Sequence, residues 1–119
     1  MTRREITGER DLSFSSWIRD KLPDSSTGFL VSDIDFVLFN YKTKKVAIVE
    51  VKTRNADLKR WQKEFYRNLH NWIKNGVSDG WVYKGIYVIQ FENTCFDDGI
   101  CYLNYKPVSE QKLIEELSL

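Results

Sequence analysis

Glu50 and Lys52 stand two residues apart at the end of an otherwise apolar run, Val46-Ala47-Ile48-Val49, and Asp33 and Asp35 stand two apart within another. In an extended chain alternate residues share a face, so Val46, Ile48, Glu50 and Lys52 point one way and Ala47, Val49, Val51 and Thr53 the other. Both faces are apolar up to Glu50, which implies a strand buried on both sides. Charges there are costly unless paired or liganded. A hairpin symmetric about Lys42 and Thr43 sets Asp35 opposite Glu50 and Asp33 opposite Lys52. Directly opposed carboxylates repel, which raises the pKa of one or recruits a cation. A two-carboxylate oxygen site with open positions suits Mg²⁺, or Mn²⁺ in its place, because such an ion keeps waters and borrows phosphate oxygens.

The elements that must position these residues follow from periodicity. Residues 11–22 read as a helix with Leu12, Trp17, Ile18 and Leu22 on its apolar face and Pro23 as its stop. Residues 24–28 form a loop, 29–41 and 45–53 two strands, and 41–44 the turn between them. From 56 to 75, Leu58, Trp61, Phe65, Leu69, Trp72 and Ile73 recur at three and four, a long amphipathic helix with Gly76 just beyond its end. A loop holding Gly80 and Gly85, a strand over 86–92, a turn at 97–99, a strand over 100–105 and a helix opened by Ser109 complete the chain. The expected fold is α/β with a mixed sheet, one domain over residues 1–119, in the order α-β-β-α-β-β-α.

Composition bounds the class. With 42% hydrophobic and 29% charged residues, the chain has an ordinary globular composition. No apolar run approaches a membrane span and no apolar leader follows the N-terminus, so the expected setting is cytoplasmic. Cys95, Cys101 and the single histidine are too few for a four-ligand zinc site, and both thiols are expected to be reduced. Chemistry must therefore rest on carboxylates and lysines. The net charge of +1 hides a basic region: residues 42–67 hold nine Lys or Arg against three acids, a local net of +6 that suits a polyanion.

Asp35 with Glu50-Val51-Lys52 fifteen residues on resembles the PD-(D/E)xK nuclease superfamily. Glu50-Val-Lys-Thr53 followed by Gln62-Lys-Glu-Phe-Tyr66 resembles the (D/E)-x-K-T and Q-x-x-x-Y motifs of RecB-like nucleases. Gly8-Glu9-Arg10-Asp11-Leu12 is similar to the first helix of archaeal Holliday-junction resolvases. Ile34 stands where the superfamily name has proline, and Asp33 and Glu5 are second candidates for Asp35 and Glu9. Gly85-Ile86-Tyr87 spells half of the GIY-YIG motif, but no Tyr-Ile-Gly follows, and it reads as strand.

The resemblance implies a restriction-endonuclease-like core and a Mg²⁺- or Mn²⁺-dependent DNA endonuclease, structure-specific or resolvase-like, of the sort a phage or mobile element carries. Asp35, Glu50 and the Val51 carbonyl would hold the metal, with Lys52, Gln62 and Glu9 completing the catalytic set. Arg54, Lys59, Lys63, Tyr66 and Arg67 would meet the DNA through a basic stripe on the long helix. Trp81, Tyr83 and Tyr87 could supply a homodimer face. The alternative from another class is a non-catalytic nucleic-acid-binding module on the same fold.

Overall fold

A computed structural model describes residues 13–119. The chain divides into two units, residues 1–32 and Asp33–Leu119. In the first, α1 (Ser13–Lys21) stacks Phe14 on Trp17, and a single 3-10 turn (Ser25–Thr27) follows. The Asp24 carboxylate caps that turn, accepting from the Ser26 N–H at 2.8 Å.

The second unit is a five-stranded mixed sheet with a helix on each face. Strands β1 (Phe36–Asn40), β2 (Lys45–Lys52), β3 (Val82–Phe91), β4 (Cys101–Leu103) and β5 (Lys106–Val108) lie in sequential order. Only β2 and β3 are parallel, and α2 (Arg60–Gly76) makes the crossover between them. Ile48 and Val88 meet Leu58, Phe65, Leu69 and Ile73 on the α2 face. Ala47, Val49, Tyr87, Ile89 and Cys101 meet Leu113 of α3 (Glu110–Leu117) on the other. Period-two alternation along β2 thus splits its odd and even residues between two cores, which is why residues 47 to 50 are all buried.

The register of the β1–β2 hairpin is the expected one, with Phe36 opposite Val49 and Asn40 opposite Lys45. Asn40 fixes it. Its Oδ1 accepts from the N–H groups of Lys42 and Thr43 at 2.9 and 3.2 Å, and its Nδ2 donates to the Leu119 carbonyl at 2.8 Å. Lys44, at φ 56°, turns the chain back into β2.

Several expectations need correction. The first strand begins at Phe36, not at residue 29, because its partner runs out. In this register residue 31 would pair with Arg54, but Arg54 and Asn55 are left-handed (φ 55° and 58°) and carry the backbone out of the sheet. The sheet has five strands instead of four, since Asn104 and Tyr105 (φ 49° and 70°) make a two-residue hairpin from β4 into β5. Helix α2 starts at Arg60, where the Gln62 side chain accepts from the Lys59 N–H at 2.9 Å, and it ends on Gly76, beyond which Val77 is extended. Gly85 is not in a loop: it follows the bulged Lys84 within β3, and its φ of 113° takes the kink. The two cysteines are free, and among the described residues no helix is long and apolar enough to cross a membrane.

Leu113 is the only buried residue of α3 and closes the core on that face. Leu113→Ala should cost about 2–5 kcal/mol in urea unfolding, the range for a buried leucine whose cavity collapses only in part.

Candidate functional site

Glu50 is the only buried charged residue among those described, at 4% exposure, and it lies on the α2 face of β2. Two groups compensate it. The Tyr66 hydroxyl, from the second turn of α2, donates to Glu50 Oε2 at 2.5 Å, and the Lys52 ammonium lies 3.6 Å from Glu50 Oε1. Lys52 can reach because residues two apart on a strand share a face. Tyr66 can reach because the apolar stripe that seats α2, Phe65, Leu69 and Ile73, turns it onto the same face.

Asp35 stands one residue before β1, at the position opposite Glu50. Its Oδ2 accepts from the Val51 N–H at 2.8 Å, so this carboxylate extends the β1–β2 pairing past the end of the strand. The Asp33 carbonyl lies 3.5 Å from the Tyr66 hydroxyl. Asp35, Glu50, Lys52 and Tyr66 thus lie together at the end of β2, with Asp35 and Glu50 taking different partners. Burial first, then the hydrogen bond and charge of Glu50, then the charges of Asp35 and Asp33, push the Tyr66 phenol far above the ordinary tyrosine value.

The remaining candidates fall in different places. Gln62 caps α2 through Lys59. Tyr66, expected at a nucleic-acid surface, is 5% exposed and serves the acid instead, because the helix turns it into the sheet. Arg54, Lys59, Lys63 and Arg67 are exposed, and Lys63 pairs with Asp57 at 3.1 Å. Trp81, Tyr83 and Tyr87 do not form one exposed face: Tyr87 is buried in the α3-side core, and the Tyr83 hydroxyl lies 3.0 Å from His70 Nδ1 under α2. Glu9 and Glu5 lie outside the described residues.

Sequence reasoning missed a second cluster. Asp57 Oδ1 accepts from the Leu58 N–H at 2.7 Å and the Tyr105 hydroxyl at 2.9 Å, and Oδ2 from Lys63. Desolvation by burial is the largest single influence on Asp57 and opposes its ionisation, but these donors and the Lys63 charge together outweigh it and hold the carboxyl below its usual range. The available signal was Asn104-Tyr105, because asparagine tolerates the left-handed turn that swings Tyr105 toward α2.

Among the described residues no three His, Cys, Asp or Glu side chains gather tightly enough to cage a metal ion. The expected donors, the Asp35 and Glu50 carboxylates and the Val51 carbonyl, would suit a hydrated hard ion that borrows ligands from substrate and would not make an all-protein cage.

Two outcomes follow for Tyr66. Tyr66→Phe leaves the buried carboxylate with Lys52 alone and should cost about 1.5–3 kcal/mol in chemical denaturation, the worth of a hydrogen bond to a charged group. The folded-state pKa of Tyr66 is raised, so its stabilising contribution is complete below the unfolded value near pH ~10 and is lost as pH rises from there. The melting temperature of the native protein should accordingly fall more steeply above about pH 10 than that of Tyr66→Phe, followed by circular dichroism.

No protein-family model matches this chain, and no characterised protein or solved structure matches it either.

Proposed function

We propose that the protein is a metal-dependent nuclease that hydrolyses phosphodiester bonds in DNA. The observation that carries this reading is the buried Glu50 carboxylate, flanked on one face by Lys52 and Asp35 at the end of a central strand. An apolar core has no need of such a group, and the resemblance of these residues to the PD-(D/E)xK signature gives it a use.

In this reading Asp35, Glu50 and the Val51 carbonyl hold a Mg²⁺ or Mn²⁺ ion, whose chemistry is to activate water and offset charge at phosphorus. Tyr66 acts as a positioning residue: its short bond to Oε2 fixes the Glu50 carboxylate and leaves Oε1 toward Lys52. Lys52, held only loosely at 3.6 Å, orients the attacking water or steadies the developing anion. Arg54, Lys59 and Arg67 have no ion-pair partner among the described residues and supply sequence-independent phosphate contacts. In this reading the fold is a restriction-endonuclease-like core and cleavage is structure-specific.

A second reading has its own observation. Both Glu50 oxygens are already engaged, one by a hydroxyl and one by an ammonium, which would suit a binding module that carries the acid as a structural tie between β2 and α2.

Supercoiled plasmid, single-stranded DNA and a four-way junction, each with Mg²⁺, Mn²⁺ or EDTA, separate the two. Cleavage should require the metal and fall by roughly a hundredfold or more in Lys52→Ala. Asp35→Asn keeps an acceptor for the Val51 N–H and removes a charge beside Glu50. It should hold or raise the melting temperature while abolishing cleavage. Salt-sensitive DNA binding with no cleavage under any condition would decide for the binding module.

A further inference from the structure

Beside the acid cluster, between α2 and the β4–β5 hairpin, lies an open groove of about 530 Å³. Its floor is apolar: Leu58, Ile86 and Val88. Its rim is cationic: Lys63, Arg67 and Lys84, with no ion pair to Arg67 or Lys84 among the described residues. Tyr66 is the wall shared with the cluster, since it lines the groove and bonds Glu50. Val88 in the floor is the register partner of Glu50, which puts the groove about one strand spacing, roughly 4.8 Å, from the acid.

Tyr105 stands at the mouth. It is 52% exposed, and a bulky side chain at φ 70° is an uncommon conformation. It persists because Asp57 holds the hydroxyl, and the ring lies 5.8 Å from the Lys63 ammonium. An exposed aromatic ring fixed in a strained turn, over an apolar floor and inside a cationic rim, has the parts that bind an unstacked nucleobase and its phosphate.

We infer that this groove receives one unstacked nucleotide of a single-stranded DNA segment and so delivers the adjoining phosphate to Glu50 and Lys52. The inference rests on the nuclease reading for what happens to that phosphate, but the binding itself does not require cleavage. A duplex would gain little here. Its bases are stacked and paired, so it could use the cationic rim but neither the floor nor the Tyr105 ring. Substrate would then be chosen for frayed, flapped or single-stranded DNA, and not for base sequence.

The test is fluorescence anisotropy in EDTA, using a labelled single strand of about 12 nucleotides, within the range that single-strand-binding sites cover, and a duplex of the same sequence. The single strand should bind at least about tenfold more tightly than the duplex. Tyr105→Asn keeps a residue that tolerates the left-handed turn while removing the ring; it should weaken single-strand binding by roughly five- to a hundredfold and leave duplex binding nearly unchanged. Arg67→Glu should weaken both and flatten their salt dependence. Equal affinity for the two DNAs, or single-strand binding indifferent to Tyr105→Asn in a protein of native circular dichroism, would overturn the inference. Preference for the single strand without any cleavage in Mg²⁺ would uphold the groove and remove only the nuclease reading, whereas cleavage without that preference would remove the groove alone.

Discussion

The structure turns on the bond from the Tyr66 hydroxyl to Glu50. A carboxylate at 4% exposure in the centre of a sheet must be compensated, and Tyr66 of the covering helix supplies the short donor while Lys52 of the same strand supplies the opposite charge. That requirement fixes the rotation of α2. With Tyr66 turned inward, Phe65, Leu69 and Ile73 fall on the sheet, while Lys63 and Arg67 fall at its margin. The crossover that makes β2 and β3 parallel is therefore locked by a polar contact as well as by apolar packing.

The two faces of the sheet divide the labour that follows. On the α3 face, Ala47, Val49, Ile89 and Leu113 pack with no buried charge, and the space beside them, lined by Phe36, Leu38 and Leu117, is wholly apolar. On the α2 face lie Glu50, Lys52, Tyr66, Asp57 and the cationic rim. The alternation of β2 enforces this separation, because a shift of one residue would carry Glu50 into the apolar side. The hairpin register is thus a constraint on where the charged cluster sits as much as on folding. The sheet edges differ in the same way: β5 is short and carries Lys106 and Pro107, whereas β1 leaves Phe36, Val37 and Phe39 exposed.

What was legible in the sequence was what local periodicity and caps determine. The long helix, the Ser109 cap, whose hydroxyl accepts from the Lys112 N–H at 3.1 Å, and the doubly buried β2 follow from spacing alone. So does the grouping of Asp35 with Glu50, which needed only the turn to be centred correctly. The side chain that centres it, Asn40, was itself passed over, because a side chain bonding its own turn is less conspicuous than an Asn-Gly pair. Two of the failures share a cause. Arg54, Asn55, Asn104 and Tyr105 all adopt positive φ without being glycine, and each pair redirects the chain at a place where composition still reads as strand or loop. The first such turn shortens β1, the second creates β5, and the second also brings Tyr105 to Asp57 across 48 residues of sequence.

The compensation of Glu50 is unequal in a way that bears on reactivity. Tyr66 is close, short-bonded and buried, and burial together with the carboxylates around it keeps its phenol protonated, so at neutral pH it does not let go of Oε2. Lys52 is longer-ranged, partly solvent-exposed and attached by a flexible stem, so its contact with Glu50 is the looser of the two. A purely structural carboxylate would be served better by a second short donor on Oε1. Instead one oxygen is anchored by a short hydroxyl bond and the other faces only the longer Lys52 contact. An arrangement tight on one side and loose on the other holds a carboxylate in place without exhausting its capacity to bind, and that asymmetry is what supports the proposed role of Glu50 in chemistry.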